Sequence, residues 1–103
     1  MNIQKLMKQA QKMQADAQKM QEELGQRTVE SSVGGGKVTV VANGAGDVLS
    51  IKIAKEVVDP EDVEMLEDLI LSGVQQAIID AKKMASDEMG KLTAGMGLPG
   101  MGF

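Results

Sequence analysis

Four lysines near the start of the chain, Lys5, Lys8, Lys12 and Lys19, are the residues whose type and spacing point most directly to a chemistry. Three of them recur every seven residues, and Lys8 lies on the same side of a helix. On an α-helix that spacing gives a row of ammonium groups about 10 Å apart. Such a row can meet the oxygens of a phosphodiester backbone, and Gln4, Gln11 and Gln18 set amide donors beside it. Asp16 is the only acid before Glu22. A solvated helix face is also commonly rich in lysine, so the row alone does not specify a ligand.

Other reactive chemistry is scarce. The sequence holds no Cys and no His. That removes thiol nucleophiles, the commonest metal ligands and the usual general base at neutral pH. The acids Asp59, Glu61, Asp62, Glu64, Glu67 and Asp68 lack calcium-loop spacing and suit the positive end of a helix. Gly34-Gly35-Gly36 leads into a strand, and no phosphate-loop or dinucleotide motif is present. No metal and no cofactor are expected, and the chain does not read as an enzyme. What is left is binding.

The lysine row requires a helix to carry it. Ile3, Leu6, Ala10, Met13, Ala17, Met20 and Leu24 alternate spacings of three and four, the pattern of a coiled-coil seam. This predicts a helix over 3–24, about 33 Å long, stopping at Gly25. In the heptad register set by Ile3 the lysines fall at positions c and f, opposite the seam. The seam has two outlets: the same helix of a second chain, or this chain's own sheet and second helix. Ala10 and Ala17 permit a close approach to either.

Three strands are expected next. Arg27–Val33 alternates weakly, Lys37–Ala42 puts Val38, Val40 and Ala42 on one face, and Val48–Ile53 does the same with Leu49, Ile51 and Ile53. Asn43-Gly44 between the last two runs is a hairpin signal. A second helix is expected to open at Asp59-Pro60, with Asp59 as its cap, and to run to about Met89. Its apolar stripe is wide enough for the sheet and a second subunit. Gly73 within it permits a close neighbour. The tail from Gly90 to Phe103, with five Gly and one Pro, cannot bury enough to order itself.

The expected fold class is therefore α+β: a long N-terminal helix, a three-stranded antiparallel meander, a long C-terminal helix and a disordered Gly/Met tail. Residues 1–90 form one domain and 91–103 a flexible tail. A core without Trp or Tyr, in a chain of 103 residues, is small enough to be shared between subunits. The expected state is a homodimer, with Ile3, Leu6, Ala10 and Met13 on the first helix and Leu66, Ile70 and Val74 on the second at its interface.

Charge is unevenly spread along the chain. The net charge is −4. Residues 1–21 carry four Lys against one Asp, while 56–90 carry ten acids against two Lys. Beyond about 8 Å such charges are screened at physiological salt, so the basic end can act locally. No apolar run is long enough for a membrane span, and the N-terminus lacks a signal-peptide stretch, so a cytoplasmic protein is expected.

Several of these segments, in this order, resemble the YbaB/EbfC family of bacterial nucleoid-associated proteins. They are Met7-Lys8-Gln9-Ala10-Gln11-Lys12-Met13-Gln14, Gln21-Glu22-Glu23-Leu24, Lys37-Val38-Thr39-Val40 with Asn43-Gly44, and Glu64-Met65-Leu66-Glu67-Asp68-Leu69. Met96-Gly97-Leu98-Pro99 in the tail is also typical. The resemblance implies a helix–three-strand–helix fold and a tweezer-shaped homodimer. It implies double-stranded DNA as partner, nucleoid association, and effects on DNA compaction and gene expression. The family's basic first-helix residues correspond to Lys5, Lys8, Lys12 and Lys19. The acidity of the second helix supports another use, a dimeric adaptor for recombination or replication proteins.

Overall fold

The structure is a computed structural model and describes residues 2–95. Helix α1 spans Ile3–Gln26, strands β1, β2 and β3 span Thr28–Val33, Val38–Asn43 and Val48–Ile53, and helix α2 spans Val63–Gly95. A single 3-10 turn, Lys55–Val57, separates β3 from α2. The long helix, meander and long helix appear in the expected order. Of the expected tail, 91–103, residues 91–95 continue helix α2 and 96–103 lie outside the described residues.

The sheet is an antiparallel meander ordered β1-β2-β3. Its register places Val33 opposite Val38 and Ser31 opposite Val40, then Val38 opposite Ile53 and Val40 opposite Ile51. All of these share one face, because side chains alternate along a strand. Helix α2 lies across β1 and β2 on that face. Val38, Val40 and Ala42 are fully buried beneath Ala77 and Ala81, flanked by Val29, Val33, Leu69 and Val74. Alanines on the helix let it sit close to branched residues on the strand, and each fully buried valine contributes about 1.5–2 kcal/mol. Gly73 belongs to this contact: a Cβ there would stand 3.0 Å from Val40 Cγ2. The close neighbour is the chain's own β2.

Strand β3 departs from expectation. A register shift at Val41/Ala42 sets Val48 opposite Ala42, so of Leu49, Ile51 and Ile53 only the last two stand opposite core valines, and α2 does not reach over the three. They stay 54%, 42% and 38% exposed. The sheet thus ends in an apolar strip on an edge strand.

The element ends also differ. Helix α1 continues past Gly25 to Gln26 and is closed by Arg27 in an extended conformation, whose N–H reaches Glu23 O and Leu24 O. Asp59 does not cap α2. It accepts from Glu61 N in the preceding turn, and Asp62 accepts from Met65 N instead. Both acids suit a helix start, and the Asp59–Asp62 turn moves the helix three residues on. At its other end α2 continues through Gly90, where Glu88 is held by Arg27 and Lys91.

The molecule measures 71 × 24 × 16 Å with a radius of gyration of 19.5 Å. A compact chain of this length has a radius near 13 Å. Helix α1, about 36 Å long, accounts for much of the excess. It meets the body at its C-terminal end, where Leu24 is buried.

Candidate nucleic-acid interface

Helix α1 forms because Gln, Lys, Glu, Met and Ala are good helix formers, and because Asn2 caps it by accepting from Lys5 N at 3.2 Å. At 100° per residue the four lysines fall within an arc of about 60°. All four are exposed. The ion pairs among the described residues engage Arg27, Lys37 and Lys91 and leave Lys5, Lys8, Lys12 and Lys19 free. Asp16, half-buried, lies about 20° beyond that arc, one turn from both Lys12 and Lys19.

The apolar seam runs along the other side of α1. Ile3, Leu6 and Met13 are 67%, 48% and 46% exposed, and Ala10 is exposed too. The second predicted set is distinct in place. Leu66, Ile70 and Val74 are half-buried on α2, and Val74 packs against the chain's own core. Along the β3 side of that core lies the strip of Leu49, Ile51 and Ile53, which the sequence placed on the sheet's apolar face without showing what would cover it.

The root of α1 is where the structure adds most. Gly44 N donates to Leu24 O at 2.8 Å and to Arg27 O at 3.1 Å. Asn43 Nδ2 donates to Gly25 O at 3.2 Å, while Asn43 Oδ1 accepts from Ala45 N and Asp47 N. Carbonyls that a helix C-terminus leaves without partners are therefore satisfied by the β2–β3 turn. Arg27 pairs with Glu88 on α2, whose carboxyl is held below its ordinary range by that guanidinium, with Lys91 assisting. Arg27, Lys83, Glu88 and Lys91 line an open groove there. Periodicity gave no sign of these contacts, which join residues far apart in sequence.

Among the described residues no group of three or more acids is placed to hold a metal ion, and no helix is long and apolar enough to cross a membrane.

Comparison with known proteins agrees with this architecture. The chain is 56% identical over 100 residues to a nucleoid-associated protein of Pelotomaculum thermopropionicum, covering 97% of this chain and 95% of that one. It is 55% identical over 101 residues to a nucleoid-associated protein of Acetivibrio thermocellus, covering 97% and 89%. The crystal structure of an uncharacterized protein from Helicobacter pylori has the same fold, with a TM-score of 0.69 at 24% identity over 93% of this chain and 97% of that chain. Residues 1–96 match the model of the YbaB/EbfC DNA-binding family, and the chain belongs to that family.

Proposed function

We propose that this chain is a nucleoid-associated DNA-binding protein that acts as a homodimer and contacts duplex phosphates mainly through Lys5, Lys8, Lys12 and Lys19. The observation that carries this reading is the presentation of those lysines: one arc, all exposed, none engaged by an acid, on a helix that projects from the body. Binding of this kind is sequence-tolerant. Helix α1 offers no Arg for bidentate base contacts and no aromatic wedge, so it positions on the backbone rather than reading bases.

Two arms grip better than one, and the apolar seam of α1 together with the β3 strip supports association of two copies. The acidic, exposed start of α2, with Glu64, Glu67 and Asp68, favours a second reading in which the dimer is an adaptor for recombination or replication proteins.

Fluorescence anisotropy of a labelled duplex across a salt series separates the two. Each neutralised phosphate adds about 0.9 to the slope of log affinity against log salt. The wild type is expected to show a steep slope. A variant with all four lysines changed to Gln should lose about 3 to 4 of it per arm. Equal binding by the variant, or none by the wild type, makes the lysine face a solvated surface and favours the adaptor.

A further inference from the structure

Asn-Gly between two strands ordinarily marks a tight hairpin in which both residues take left-handed backbone. Here Gly44 does not. The left-handed position in this turn is Gly46, with φ 92°. Another constraint holds Gly44: a Cβ on it would stand 2.7 Å from Leu24 O and 2.9 Å from Leu24 Cβ. Leu24 is itself almost fully buried, at 2% exposure. The turn and the end of α1 are in backbone contact, and only glycine leaves room for it.

We propose that Asn43 and Gly44 are positioning residues for the lysine row: they form an elbow that fixes the direction in which α1 leaves the body. This rests on the phosphate-binding reading of α1. The bonds are directional. Gly44 N–H is aimed at Leu24 O and Arg27 O, and Asn43 carries Gly25 O on its side chain while bracing its own turn. Arg27 with Glu88 ties the same junction to α2.

The lever is long. Nineteen residues separate Leu24 from Lys5, about 29 Å of helix. A tilt of about 10° at the elbow moves Lys5 by about 5 Å. That displacement takes a lysine from one phosphate toward the gap beside it, so a loosened elbow reduces the contacts made at once without removing a single charge.

The sequence lacks Cys, so cysteines introduced for Gln11 on α1 and Ser72 on α2, both exposed, can carry spin labels cleanly. Diluting the labelled chain with unlabelled chain restricts the measured distances to one protomer. Two variants are compared with wild type. Gly44→Ala places a Cβ against Leu24. Asn43→Asp keeps the oxygen that braces the turn, loses the donor to Gly25 O and sets a carboxylate beside that of Asp47, which pushes the turn away from the helix end; it carries the test should Gly44→Ala fail to fold. Gln11 is about 20 Å of helix from Leu24, so the same tilt is expected to shift or broaden the distance distribution by about 3 Å. Duplex affinity, read well below each variant's melting temperature, should fall about tenfold at low salt with a smaller salt slope, while sheet circular dichroism stays near wild type.

A distance distribution unchanged in both variants overturns the proposal. So does a changed distribution with wild-type affinity and slope, since the elbow would then be structural only. If wild type does not bind duplex, or the four-lysine variant binds as well, the phosphate reading fails and takes this one with it. If wild type binds through the lysines and both elbow variants match it, only the elbow fails.

Discussion

Ser31 of β1 donates its hydroxyl to Asp80 of α2 across 2.6 Å, joining two residues 49 positions apart at the edge of an otherwise apolar contact. Ser31 is 5% exposed, and Asp80 also accepts from Gln76 one turn earlier at 3.0 Å. Around it the helix meets the sheet through alanines and valines, which tolerate sliding. The hydrogen bond does not, and it registers α2 on β1.

The Ser31 hydroxyl, then the Gln76 amide, hold the Asp80 carboxyl below its ordinary value. A depressed carboxyl contributes stability that is complete above its unfolded pKa, near 3.8, and is lost as pH falls through the lower folded one. Ser31→Ala is expected to cost about 1–2 kcal/mol at neutral pH. The difference from wild type should shrink as acid protonates Asp80. Thermal unfolding of both proteins from neutral pH down to about pH 2 checks this, and a difference that does not change with pH counts against the bond.

Much of this architecture is legible in the sequence, and the illegible parts have physical reasons. The alternation of Val38, Val40 and Ala42 marks a buried strand face because a strand has period two, and all three are fully buried. The three-and-four spacing from Ile3 to Leu24 marks the α1 seam for a similar reason. The same alternation gives the right face for Ile51 and Ile53 but not the bulge that sets Val48 in place of Leu49 opposite Ala42, nor the face's cover, since α2 is one helix wide and the sheet has three strands. The choice between Asp59 and Asp62 as cap is open locally, because both side chains suit the role. Arg27 with Glu88, and Gly44 with Leu24, are distant in sequence, and no local period encodes them.

Gly73 lies where α2 crosses β2, with Val40 Cγ2 at 3.0 Å and Val38 Cγ1 at 3.4 Å from a Cβ built there. In an exposed helix Gly→Ala stabilises by about 1 kcal/mol. Here Val40 is central in the sheet and fully buried, so it cannot yield. Gly73→Ala is expected to destabilise by about 1–2 kcal/mol. Val40→Ala alone should cost about 2 kcal/mol for the cavity it leaves. The double variant should lose less than the sum, because each change relieves the other. Urea unfolding of the four proteins measures the coupling, and strict additivity would show that the two side chains do not compete for space.

The two apolar surfaces make separable predictions about association. Ile51→Lys alters an exposed position on β3, and Leu6→Lys with Met13→Lys alters exposed positions on the α1 seam. All should fold as wild type. If β3 joins the copies, Ile51→Lys sediments as a monomer at micromolar concentration and the seam variant remains a dimer. If the seam joins them, the assignments exchange. A wild-type chain that is monomeric at those concentrations would remove the dimer from the proposed function.

Asp16 sets the last prediction. It borders the arc of the four lysines, about 20° outside it, and stands one turn from Lys12 and Lys19, yet forms an ion pair with neither. A phosphate brought to those lysines comes within several ångströms of its carboxylate, and like charges at that range repel by a fraction of a kcal/mol in water. Asp16→Asn removes the charge at nearly constant size and helix propensity. It should raise duplex affinity about threefold at low ionic strength, and the gain should vanish as salt shortens the screening length. Anisotropy titrations at two salt concentrations test this. An unchanged affinity at low salt, in a protein whose lysines do matter, would mean that the bound backbone passes along the outer turns of α1 and never nears Asp16.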